Sequence, residues 1–181
     1  MKKIILGILG AFVLAIAVLS FIAPSDFKLE REIVINQPVP VVFNHLKYLR
    51  NHELWNAWSQ IDPNMKKSFS GTDGTVGFTS SWESEHEEVG TAEEEIKNIK
   101  ENERFDTQIR FKKPFEASFN SYITTESVGE KQTKVVLGMA DKMPFPVNVI
   151  SFIVNVCLDQ QQKIIDNMDK SLNSLKSILE K

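Results

Sequence analysis

Residues 104–112 read Arg-Phe-Asp-Thr-Gln-Ile-Arg-Phe-Lys, with Phe105, Thr107, Ile109 and Phe111 alternating against Asp106, Gln108, Arg110 and Lys112. Successive side chains of an extended strand point to opposite sides, so this stretch has one face for a core and one for water. The same period of two runs from Met65 to Met143 and predicts strands over 66–70, 76–85, 89–100, 104–112, 117–128 and 134–142. Turn residues punctuate it at Gly71-Thr72-Asp73-Gly74, Asn102-Glu103, Lys113-Pro114 and Gly129-Glu130. Connections this short join neighbours running in opposite directions, so the run predicts an antiparallel meander.

Away from the meander the period changes. Beyond Pro144 and Pro146, residues Val149, Phe152, Ile153, Val156, Ile164, Met168, Leu172, Leu175 and Leu179 form one stripe at helical spacing. A helix of about 30 residues is ~45 Å long and must lie across a broad sheet. Upstream, Leu29, Ile33 and Ile35 predict a first strand ended by Asn36-Gln37-Pro38. Val42, Phe43, Leu46 and Leu49 then predict a short helix, and Leu54, Trp55 and Trp58 a second helical stretch. The expected fold is α+β: a curved antiparallel sheet of six or seven strands wrapped around a long C-terminal helix.

The first 23 residues stand apart, with 18 of them apolar and only Lys2 and Lys3 charged. The uncharged run over 4–23 would span about 30 Å as a helix, the thickness of a bilayer core. It reads as a transmembrane anchor over 1–23, followed by a short linker over 24–26 and a folded domain over 27–181. Lys2 and Lys3 place the N-terminus in the cytoplasm and the domain outside it. A cleaved signal segment is the alternative. Bulky Phe21 and the following Pro24 oppose a cut after Ala23, while a cut near residues 15–17 or after Ser20 stays open. A buried core helix would need an all-apolar cylinder wrapped on every side.

Without this segment 158 residues remain, with 19 basic and 24 acidic side chains, a formal charge of −5. That composition argues against a disordered chain, a polytopic membrane protein and a coiled coil. A net-acidic domain is also a poor partner for nucleic acid. The single cysteine, Cys157, excludes an internal disulfide and, beside the apolar stripe, reads as a buried, inert thiol.

The order of elements, together with several short motifs, resembles a known family. The motifs are Val42-Phe43, Trp55-x-x-Trp58-Ser59, Asp62-Pro63-Asn64, Val76-Gly77, Trp82, Val89-Gly90, Asn102-Glu103-Arg104, Phe111-x-Lys113-Pro114-Phe115 and Leu172-x-x-Leu175-Lys176. Over roughly 27–180 the chain is similar to the SRPBCC, or polyketide cyclase/dehydrase-like, proteins of the START/Bet v 1-like helix-grip superfamily. It departs from them at Gln60-Ile61, where related sequences often continue Pro-Trp after Trp-Ser. The resemblance implies an internal cavity between sheet and helix that relatives use for sterols, lipids or polyketides.

A hydrophobic site needs rigid apolar walls with a few polar tips, and indole offers both. Trp55, Trp58 and Trp82 are therefore candidates. Trp82 shares strand parity with Val76 and Phe78, and Phe105, Ile109, Phe111, Phe119, Ile123, Leu137 and Met139 fall on the same concave side. Phe152 and Val156 would face them from the helix. The expected ligand-binding set is Trp55, Trp58, Phe78, Trp82, Phe105, Ile109, Phe119, Ile123, Met139, Phe152 and Val156. Its expected partner is a hydrophobic small molecule or a lipid, with the membrane met through residues 4–23. Each residue alone reads more readily as ordinary core than as a cavity wall.

No catalytic, cofactor or metal site is expected. His45, His52 and His86 lack metal-ligand spacing, and His52-Glu53 with Asp62 is the only conceivable acid–base group. Gly71 to Gly77 lacks a P-loop lysine and reads as a turn. Nine glutamates between Glu83 and Glu103, including Glu83, Glu85 and Glu87, read as a solvated outer face. A cyclase/dehydratase-like enzyme using the same cavity, or a module with a filled core, are the alternatives to a binding domain.

Overall fold

Among the described residues, alternation in the middle of the chain and helical spacing at its ends are realised as α1 (Lys2–Ile22), β1 (Asp26–Ile35), α2 (Val39–Leu46), a 3-10 turn (Leu49–Asn51), α3 (His52–Trp55), α4 (Ala57–Ile61), β2 (Lys66–Ser70), β3 (Thr79–Glu83), β4 (Thr91–Lys100), β5 (Arg104–Lys113), β6 (Ala117–Gly129), β7 (Gln132–Lys142), α5 (Val147–Leu158) and α6 (Gln160–Leu179). The structure, a computed structural model, describes residues 2–114 and 116–181; within α1 the side chains of Lys2, Ile5, Leu9, Phe12, Val13 and Ala15 lie outside the description.

The seven strands form one sheet in the order β1-β7-β6-β5-β4-β3-β2. From β2 to β7 every consecutive pair is antiparallel, as the short turns require. The helices after β1 carry the chain to the far edge of the sheet. Local chemistry sets their starts: Pro40 occupies the first turn of α2, where its missing N–H costs nothing. Asn56 caps α4 by accepting the Trp58 N–H at 3.0 Å. The β2–β3 turn bends at Gly74, whose φ of +75° and contact with the Tyr48 ring leave no room for a side chain.

The chain divides into two compact units, one of Met1–Phe27 with Asp141–Lys163, the other of Lys28–Ala140 with Ile164–Lys181. The second unit holds the sheet and most of α6. Its core contains Ile35, Val42, Phe43, Leu46, Trp55, Phe78, Ile96, Phe105, Val135 and, from α6, Met168, Leu172 and Leu175. Polar bonds fix α6 along its length. Ser171 Oγ accepts the Ala57 N–H at 2.9 Å, Arg31 pairs with Asp169 at 2.7 Å, Lys176 Nζ donates to the Val34 carbonyl at 2.8 Å, and Gln37 donates to the Leu179 carbonyl at 2.8 Å.

The first unit contains α1 and α5, which touch each other. Asn148 Nδ2 donates to the Ala23 carbonyl at 3.1 Å, and the Met143 N–H to the Ser25 carbonyl at 2.7 Å. Among the described residues no helix is long and apolar enough to cross a membrane.

Two expectations are corrected. The single C-terminal helix is two helices, because Asp159 adopts φ +50°, a left-handed conformation that ends α5. Asn155 fastens the break, donating to the Gln161 side chain at 3.1 Å and accepting the Gln161 N–H at 3.0 Å. Val76 does not share the face of Phe78: β3 begins only at Thr79, and Val76 sits 60% exposed in the glycine-rich turn.

Candidate functional site: the open half of the concave face

Strand register arranges the concave face in rows. Trp82, Ala92, Phe111 and Ala117 lie side by side, and next to them Ser80, Glu94, Ile109 and Phe119. Then follow Ile96, Thr107, Ser121 and Met139, and last Ile99, Phe105, Ile123 and Leu137. Ile96 and Ile99 share this face although three apart, because the register shifts between Ile96 and Asn98 and Lys97 is the extra residue of a bulge.

The last rows are closed. Phe43 meets Phe105 edge-on at 6.2 Å. His52 lies against Trp55 at 4.7 Å and Phe105 at 6.0 Å, and its Nε2–H donates to the Leu46 carbonyl at 2.8 Å. His52 is buried, since its ring packs on two aromatics while its polar atom finds a backbone acceptor. Burial, and then the neighbouring His52, push the His45 imidazole below its ordinary pKa. The Trp55 indole N–H is buried, with no hydrogen-bond partner among the described residues.

The first rows are open. Trp82 meets Phe111 edge-on at 6.4 Å and Phe111 meets Phe119 at 6.1 Å, yet all three, like Ile109 and Met139, are only half-buried. A carboxylate stands among these apolar groups. Glu94 is half-buried and accepts the Thr107 hydroxyl at 2.8 Å, with Ser80 and Ile109 beside it across the strands. Glu94 corrects the reading of the glutamate run as a purely outer face. Its parity was legible, because Ile96, Glu94 and Ala92 alternate with Glu95 and Glu93. The outer face takes those two: Glu93 pairs with Arg110 and Lys112, and Glu95 with Arg110 and Lys97, all at 2.8 Å.

The remaining candidates fall elsewhere. Trp55 is buried at the closed end and Phe78 is buried just before β3; Trp58 is half-buried on α4. Phe152 and Val156 belong to α5 in the other unit, where Val156 is 68% exposed. Cys157, expected to be buried, is exposed on the same helix. His52, Glu53 and Asp62 do not act together: Glu53 pairs with Lys67 at 3.2 Å, while Asp62 accepts the Ser84 hydroxyl at 2.5 Å. That bond holds the Asp62 carboxyl below the usual range. Asp62 and Ser84 line a polar cleft of about 190 Å³ with Asn64, Met65, Lys66, Glu83 and Glu85. Among the described residues no three His, Cys, Asp or Glu side chains are grouped to hold a metal ion.

No protein-family pattern matches the sequence, and no curated protein matches it significantly. Solved structures do share its architecture. A protein of Rhizobium leguminosarum superposes with a TM-score of 0.61 at 13% identity, over 86% of this chain and 95% of its own. Ara h 8.0201 gives 0.55 at 13% identity, over 85% and 97%. The Aha1 dimer from Colwellia psychrerythraea gives 0.52 at 17% identity, over 85% and 96%. At such identities the likeness concerns fold alone, and the fold is the helix-grip fold: a seven-stranded antiparallel sheet with a C-terminal helix.

Proposed function

We propose that this protein binds a hydrophobic small molecule or a single lipid on the open half of its concave face and is held at a membrane by α1. The observation that carries the binding reading is the half-buried cluster of Trp82, Phe111 and Phe119. The same face is fully packed one or two rows away. Apolar walls of this kind gain ~25 cal/mol for each Å² they hide from water, and Glu94 with Ser80 and Thr107 supplies the few polar atoms that orient a guest. Such a site suits an amphiphile with an apolar body and a hydrogen-bond donor. The likeness of motifs to the polyketide cyclase-like proteins agrees with this chemistry.

The anchoring reading rests on the uncharged run from Ile4 to Ala23 and on the outward exposure of Ile4, Leu6, Ile8, Leu14, Val18, Phe21 and Ile22 along α1. With Lys2 and Lys3 held inside, the folded domain lies on the outer side of the membrane.

The binding reading is tested on the full chain purified from membranes, by solvent extraction and mass spectrometry. An apolar compound at near one equivalent is expected from the native protein and at a tenth or less from Phe119→Glu, with cooperative unfolding kept. Equal extracts from both would contradict the reading. A second reading, catalysis in the same place, is favoured by one observation, the inward carboxylate of Glu94. A lone positioned carboxylate can move a proton. Glu94→Gln separates the two: a binding site keeps its guest, whereas an enzyme accumulates it unchanged.

A further inference from the structure

The polarity of α5 is inverted relative to a helix in water. From Pro144 to Leu158 the chain has no charged residue. Its exposed residues are Val147, Ile150, Ile153, Val154, Val156 and Leu158, 39–68% accessible, together with Cys157, and none is charged. Its polar side chains point the other way: Asn148 is buried and bonded to the Ala23 carbonyl, and Asn155 is clamped to Gln161. On a helical wheel the exposed set covers about half the circumference, with Asn148, Ser151 and Asn155 grouped on the opposite side. A helix bathed in water shows the reverse arrangement, as α6 does with exposed Lys163, Lys170 and Asn173 and buried Met168, Leu172 and Leu175.

We propose that the outer face of α5 lies in the acyl region of the bilayer. Two observations select lipid over a protein partner for this arc. It carries no polar or charged side chain to set a docking register. It is continuous with α1, whose end at Ala23 is bonded to Asn148. Twelve residues of helix reach about 18 Å, too short to cross, so α5 enters a single leaflet. Asp159, the first charged residue after Lys142, is also where the backbone turns left-handed and returns to water. This inference extends the anchoring reading of α1 but stands on the side chains of α5 themselves.

Cys157 gives the test, because it is the sole cysteine and lies exposed on this helix. A nitroxide attached there in the full chain, reconstituted in phosphatidylcholine vesicles, reports collisions with oxygen, which concentrates among acyl chains, and with a water-soluble nickel chelate. The expected result is a several-fold higher ratio of oxygen to nickel collisions than for a label at Glu130→Cys in a Cys157→Ser background, a position exposed in the β6–β7 turn. Equal ratios at the two positions overturn the proposal, as does spin–spin broadening at Cys157, which marks a second copy covering the face. A label at Leu14→Cys in the same background reads α1 separately. Lipid exposure at Leu14 with water at Cys157 overturns this proposal and keeps the anchor; the opposite pattern keeps this proposal and removes the anchor; water at both removes both.

Discussion

Gly138 and Tyr122 show how one missing side chain permits a contact across three strands. They are opposite each other in the register of β6 and β7, and a Cβ on Gly138 would sit 2.2 Å from the Tyr122 ring. The bare glycine lets the ring lie flat over β7 and its hydroxyl donate to Glu30 on β1. Arg104 covers the ring at 4.2 Å. Burial, and then the bond to Glu30, push the Tyr122 hydroxyl up to about 12, so the hydroxyl keeps its donor proton until strong alkali. Gly138→Ala forces the ring off β7 and should destabilise the protein by about 1–3 kcal/mol in urea unfolding. An unchanged midpoint would show that the ring does not depend on this gap.

At the scale of elements, β4 and β5 meet the solvent through a ladder of charge. Lys112 and then Arg110 hold the Glu93 carboxyl below the usual range, and Lys97 and then Arg110 do so for Glu95. A carboxylate depressed in the folded state adds stability above its unfolded pKa of about 4.3 and loses it as pH falls through the lower folded value. Arg110→Ala should therefore cost about 1 kcal/mol at pH 7, with the difference from the native protein closing below pH 4. A difference that persists in acid would assign the effect to packing of the Arg110 stem.

Strand parity makes most of this sheet legible in the sequence, since Phe105, Thr107, Ile109 and Phe111 occupy the expected face and the meander follows from its turns. Parity failed at Lys97, where a bulge adds a residue that alternation does not reveal. The break at Asp159 was hidden because aspartate also suits the polar side of a helix, and only its φ distinguishes the two. Burial of His52 is completed by Phe105, far along the chain, beside the nearby Trp55 and Leu46, and a local pattern does not contain that distant contact. Glu94 was legible and passed over, because a dense run of glutamates reads as surface before its parity is counted.

For the whole molecule, the two units carry different chemistry. The unit with the sheet has a packed core at one end of its concave face and half-buried aromatic side chains at the other. The unit with α1 and α5 presents apolar side chains outward. Under the proposed binding reading, a bound apolar molecule covers the half-buried Trp82, Phe111 and Phe119. The most direct measurement is photo-crosslinking in the native membrane, with Phe119→p-benzoylphenylalanine in the full chain and intact-mass analysis after irradiation. The account predicts a discrete small-molecule adduct at position 119 and none at Ser118→p-benzoylphenylalanine, whose side chain leaves the opposite face of the same strand. No adduct at 119, or the same adducts at both positions, would contradict it.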